Sequence, residues 1–100
     1  MVIKWSNFAK SNLHDFIQNS KLYSPNIYVK NLVNSVSILK DNPKAGKILF
    51  IYNEMEFRQL IYKMHRVIYR ISDNEIHIGA VLHTARNLET SLRFIKKFLK

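Results

Sequence analysis

At Gly46 the spacing of apolar residues changes, and that change restricts the folds open to this 100-residue chain. Before Gly46 apolar residues recur every three or four positions, and after it they alternate or run in short β-branched and aromatic stretches. The first spacing lays a stripe along one side of a helix. The second lines one face of a strand. A chain that keeps the two patterns in separate halves specifies an α+β fold, with helices on one face of a sheet.

In the first half, Val2–Trp5 is too short for a helix and is expected as an edge or pairing strand. Ala9, Leu13, Phe16 and Ile17 follow at helical spacing, with Lys10, Asn12, His14 and Asp15 on the other side, which is a core-facing amphipathic helix. Ser24 is a suitable N-cap and Pro25 suits the first helical position, so a second helix starts there. It is expected to bury Val29, Leu32, Val33, Val36 and Leu39 and to stop at Asn42-Pro43. The short break between the two predicts an antiparallel helix hairpin.

In the second half, strands are predicted over 47–52, 57–62, 66–71 and 76–83. Ser72-Asp73-Asn74-Glu75 reads as a tight turn joining the last two. A final helix over 88–99, capped by Asn87, carries Leu88, Leu92, Ile95 and Leu99 as an apolar stripe widened by Phe94 and Phe98. Arg93, Lys96, Lys97 and Lys100 lie opposite, and the stripe is expected to pack on its own domain. The expected architecture is therefore an N-terminal strand, a helix hairpin and a four-strand antiparallel run completing one small twisted sheet. One domain spans residues 1–100, with the amphipathic segment 87–100 as an appendage.

With 47% apolar residues and only two Gly and two Pro, the chain has enough material for one core and is not of disordered or low-complexity type. The absence of cysteine excludes disulfides, thiol catalysis and zinc-thiolate sites, and fits a reducing cytoplasm. The first residues lack the apolar stretch of a signal peptide, and no run approaches the ~20 apolar residues of a membrane span. A soluble cytoplasmic protein with no membrane partner is expected. Sixteen Lys and Arg against seven Asp and Glu give a formal charge of +9, which attracts polyanions or an acidic protein.

Part of that excess sits in Arg58, Lys63, Arg66 and Arg70, with no acid between Phe57 and Ser72. Strand alternation sends Arg66, Ile68 and Arg70 one way and Val67, Tyr69 and Ile71 the other. One face is thus core and the other basic, either as an ordinary solvated face or as a site for an anion or acidic partner. Tyr52, Tyr62 and Tyr69 are suited to stacking on bases and equally to filling strands. His14, His65, His77 and His83 come without a metal-binding motif. His77 and His83 are about 20 Å apart along a strand and cannot chelate one ion. Gly46 and Gly79 are too isolated for a phosphate-cradling loop, so neither metal nor cofactor is expected.

Five fragments then fall in register. They are the opening with Trp5, Ala9, Leu13, Phe16 and Ile17, P-x-x-G-K over 43–47, F-R-Q-L over 57–60, H-R-V-I-Y-R-I over 65–71 and V-L-H-T-A-R over 81–86. Over roughly residues 2–87 the chain resembles the RelE/ParE toxin superfamily. That resemblance implies a sheet behind a helix hairpin, and a toxin neutralised by a small acidic antitoxin protein, in a heterotetramer or larger assembly. It also implies one of two mechanisms. RelE-like members cleave mRNA on the ribosome without metal, and Arg66, His83 and Arg86 are the residues here that would serve. In such a site His83 is the acid or base and the guanidinium holds the phosphate, so Arg66 and His83 must share one face.

ParE-like members poison DNA gyrase. The V-L-H-x-A-R ending resembles theirs, and the terminal His-Tyr pair of one RelE-like branch is missing, so the ParE-like reading is the one expected. It assigns no catalytic residue, and makes Arg58, Lys63, Arg66, Arg70, His83, Arg86, Arg93, Lys96 and Lys97 contacts for target or antitoxin. His83 and Arg86 are equally suited to holding the end of the last strand. A non-toxic RNA-binding module is the third reading.

Overall fold

The computed structural model of the chain describes residues 1–87 and 89, and the helix expected over 88–99 lies outside them. The elements are β1 Val2–Trp5, α1 Asn7–Asn19, α2 Pro25–Val36, a 3-10 turn Ser37–Lys40, β2 Lys47–Tyr52, β3 Met55–Tyr62, β4 His65–Ser72 and β5 Glu75–His83. The expected order holds, with the last three strands starting one or two residues earlier than the apolar runs. The sheet order is β1-β5-β4-β3-β2. The four later strands are antiparallel, but β1 joins β5 in parallel, so the five-stranded sheet is mixed.

Tight turns set the register of the antiparallel run. Asn53 and Glu54 (φ 49° and 66°) join β2 to β3, and Asp73 and Asn74 (φ 53° and 59°) join β4 to β5. Two successive residues at positive φ match the right-handed twist of a hairpin, and Asn and Asp tolerate that conformation best. Lys63, at φ 47°, occupies the tip between β3 and β4.

Ser6 caps α1: its Oγ accepts from the Ala9 N–H at 3.0 Å and donates to the Gly79 carbonyl at 2.9 Å. Where β1 ends, α1 takes over the edge of β5. The Ser6 N–H donates to the Ile78 carbonyl at 2.9 Å, and Asn12 Oδ1 accepts from the Val81 N–H at 3.0 Å. Otherwise unpaired strand groups are satisfied in this way. Pro25 opens α2, while the Ser24 side chain makes no capping bond.

Ala9, Leu32, Val36 and Leu39 from the helical layer meet Val67, Tyr69, Ile76 and Ile78 from the sheet, all essentially fully buried. Val33, expected inside, is 36% exposed, because the buried line through Leu32, Val36 and Leu39 leaves it at the rim of the stripe. A second cluster of Ile68, Ala80 and Leu82, with Phe8 and Leu49 against it, lies on the far face. That face is therefore not purely basic. Its cations stand around an apolar floor.

Candidate interaction surface

The four cations of β3, β4 and their turn take three different positions. Arg58, expected among the surface charges, is 9% exposed. Its Nη1 donates to the Gly46 carbonyl at 2.7 Å and the Lys44 carbonyl at 3.3 Å, and its Nη2 to Glu56 Oε1 at 2.8 Å. Tyr69 completes the fastening: its hydroxyl donates to the Pro43 carbonyl at 2.7 Å and accepts from the Gly46 N–H at 2.9 Å. A Cβ on Gly46 would stand 2.5 Å from the Gln59 carbonyl oxygen and 2.7 Å from the Tyr69 ring. Only glycine fits that approach. The motif residues Pro43, Gly46, Arg58 and Tyr69 thus clamp the loop before β2, and Tyr69, 1% exposed, offers no ring face to a base. Burial raises the Tyr69 pKa, partly offset by the bond from Gly46 and by the Arg58 charge.

Arg66 and Arg70 share the far face with Ile68, as alternation predicts. Arg66 Nη1 donates to Gln59 Oε1 at 2.6 Å, and its buried Nε has no partner among the described residues. Arg70 stands in register with Phe57 on one side and His77 on the other, and His77 with Lys4. A row therefore crosses the sheet from Lys4 through His77 and Arg70 to Phe57, whose ring stacks on Phe50 at 4.7 Å between centroids. Beside it is a cleft of about 320 Å³ with Phe8, Phe57 and Ile68 in its lining. Lys63 is exposed at the hairpin tip, its Nζ 5.5 Å from the Tyr62 ring centroid. Lys4 and His77 belong to this surface as well, through strand pairing that aligns them with Arg70 and that no local pattern reveals.

His83 and Arg86 lie elsewhere, on the helix side of the sheet. With Asn12, Asp15, Phe16 and His65 they border a second cleft of about 220 Å³. His83 is exposed, and its Nδ1 accepts from the Ala85 N–H at 2.9 Å, which helps turn the chain out of β5. Behind it His65 is 5% exposed. The Tyr28 hydroxyl lies 2.8 Å from His65 Nδ1, the Phe16 ring meets the imidazole edge-on at 4.6 Å, and the His83 ring is 5.5 Å away. Burial, seconded by His83, lowers the His65 pKa to about 4, so this imidazole is neutral at pH 7.

Arg66 pairs with Leu82, whereas His65 pairs with His83. Arg66 and His83 therefore occupy opposite faces and do not meet over one substrate. No group of three or more metal-ligating side chains exists among the described residues, and none of their helices is long and apolar enough to cross a membrane. Arg93, Lys96 and Lys97 lie outside the described residues.

Fold and surface together define a class: a small basic α+β protein with two helices on one face of a mixed five-stranded sheet and cations distributed over the other. The sequence model of the family described as "ParE toxin of type II toxin-antitoxin system, parDE" matches residues 3–88. The chain belongs to that family and is the toxin component of such a system, with an antitoxin as its partner. No curated protein matches the chain.

Proposed function

We propose that this toxin arrests growth by inhibiting DNA gyrase, acting in the cytoplasm, and that a small acidic antitoxin suppresses it by folding over its basic surface in a heteromeric assembly. The observation that carries the reading is the placement of Arg66 and His83 on opposite faces of the sheet. Cleavage of an RNA backbone asks for a proton-transfer group and a phosphate-holding cation converging on one phosphate. Here the imidazoles of His65 and His83 face the helices with Arg86 beside the same cleft, while Arg66 is turned away and bonded to Gln59, so Arg66, His83 and Arg86 do not converge as one set. The ParE match supports the same branch. Lys63, Arg66, Arg70, His83 and Arg86, with Arg93, Lys96 and Lys97, are the contacts assigned to gyrase or antitoxin. Arg58 is left out because it is buried, with Nη1 held by the Gly46 and Lys44 carbonyls and Nη2 by Glu56.

Purified toxin tests this directly. It is expected to block gyrase supercoiling of relaxed plasmid and to leave mRNA on translating ribosomes intact, and addition of the co-encoded acidic protein is expected to restore supercoiling. Ribosome-dependent cleavage with unimpaired gyrase would transfer the protein to the RelE-like mechanism.

A further inference from the structure

Two glycines stand in the sheet region, and only one of them is required by the fold. Gly46 is held where a Cβ would collide with backbone and ring. Gly79 is different. Its φ is negative, and a Cβ there would meet only the Ile68 carbonyl oxygen, at 3.7 Å, an ordinary contact. It is the extra residue of a bulge, since Ile68 pairs with Ala80 and Tyr69 with Ile78. A glycine inside a strand costs stability, and marks a bulge or a place where another group approaches closely. A bulge does not itself need glycine when φ is negative. The lasting effect of the missing side chain is a bare wall in the 320 Å³ cleft that Gly79 lines.

The cleft has two chemistries. Phe8, Phe57 and Ile68 provide an apolar lining, and Lys4, Arg70 and His77 stand along its margin. The side chains of these three make no hydrogen bond or ion pair with any described residue. Phe57 is 3% exposed with its ring stacked on Phe50, and Tyr69 is 1% exposed, so neither of these rings offers a free face to a nucleobase. An aliphatic side chain flanked by carboxylates matches both chemistries at once.

We infer that this cleft is the anchor site for one bulky aliphatic side chain of the antitoxin, seated against Gly79 with acidic neighbours on Arg70, His77 and Lys4. The inference rests on the reading of the partner as acidic. It places an apolar anchor beside a row that carries the cations Lys4 and Arg70, the arrangement in which a few side chains carry most of an interface's energy.

The probe is an acetylated, amidated pentapeptide, Glu-Asp-Leu-Glu-Asp, titrated into full-length toxin by calorimetry and by amide chemical shifts. The amides of Gly79 and Ile68 are expected to shift. Replacing the probe's leucine by alanine, or its acids by their amides, is expected to weaken binding about tenfold. Gly79→Leu is expected to do the same by filling the cleft, with thermal unfolding confirming that the variant is folded. Lys4→Gln, at an exposed position, gives a second reading that does not risk the fold, with a loss of about threefold. Shifts confined to the His83 and Arg86 region, undiminished binding by folded Gly79→Leu, or an oligoribonucleotide taking the site while the peptide does not, would each overturn the inference. Failure of gyrase inhibition with peptide binding intact would remove the proposed target and leave the anchor standing.

Discussion

Arg66 and His83 are neighbours in the β4–β5 ladder yet face opposite sides of the sheet, because Arg66 is paired with Leu82 and His83 with His65. A one-residue step along a strand reverses the side on which a side chain stands. Residues in separate environments without a shared partner act independently, and their energetic effects add to within about 0.5 kcal/mol. If both contribute to binding, the free-energy losses of Arg66→Ala and His83→Ala in antitoxin affinity are expected to add in the double variant. A double variant no worse than the poorer single one would mean that the two act as one unit, as catalytic partners do.

Gly46 and Gly79 should respond oppositely to the same methyl group. Gly46→Ala forces a shift against the Gln59 carbonyl and Tyr69, and is expected to cost about 1–3 kcal/mol. Gly79→Ala meets no close contact at an allowed φ, and is expected to stabilise by about 0.4–1 kcal/mol through the unfolded chain. Urea unfolding of the two variants beside the parent chain decides both.

Removal of one cation should cost stability at Arg58 and almost none at Lys63. Arg58→Met strands the Gly46 and Lys44 carbonyls and is expected to destabilise by about 2–4 kcal/mol. Lys63→Gln, at an exposed tip, is expected to stay within about 0.5 kcal/mol. Equal losses in chemical denaturation would show that the loop clamp does not depend on Arg58.

His65 makes stability depend on mildly acidic pH. Its folded pKa of about 4 lies below the ordinary 6.5, so between those values the unfolded chain binds the extra proton. The contribution of the neutral imidazole is complete above pH ~6.5 and declines as pH falls toward 4, by up to about 3 kcal/mol. Denaturation at pH 7 and pH 4.5 should show a larger drop for the parent chain than for His65→Gln. Identical drops would locate the acid sensitivity in other groups.

The change of period at Gly46, the Ser24-Pro25 start and the Asp73-Asn74 turn each act within a few residues, and each appears in the structure where local pattern put it. Alternation likewise separated Arg66 and Arg70 from Val67, Tyr69 and Ile71 without any knowledge of neighbouring strands. Amphipathic period and turn conformation are local properties, so a sequence carries them openly. The fate of Arg58 was hidden, because its partners belong to a loop whose approach depends on Gly46 and Tyr69.

Nor could local pattern place β1 beside β5, or α1 along the rest of that edge, where Ser6 meets Gly79 across 73 residues. The same pairing aligns Lys4 with His77 and Arg70, and sets Arg66 and His83 apart. Long-range register is chosen by which arrangement buries the helix stripe and satisfies the strand edges together, a balance struck over the whole chain. The sequence by itself determined the elements and the faces they turn inward. Only the tertiary structure decided which cations share a surface, because that depends on pairing between strands far apart in the chain.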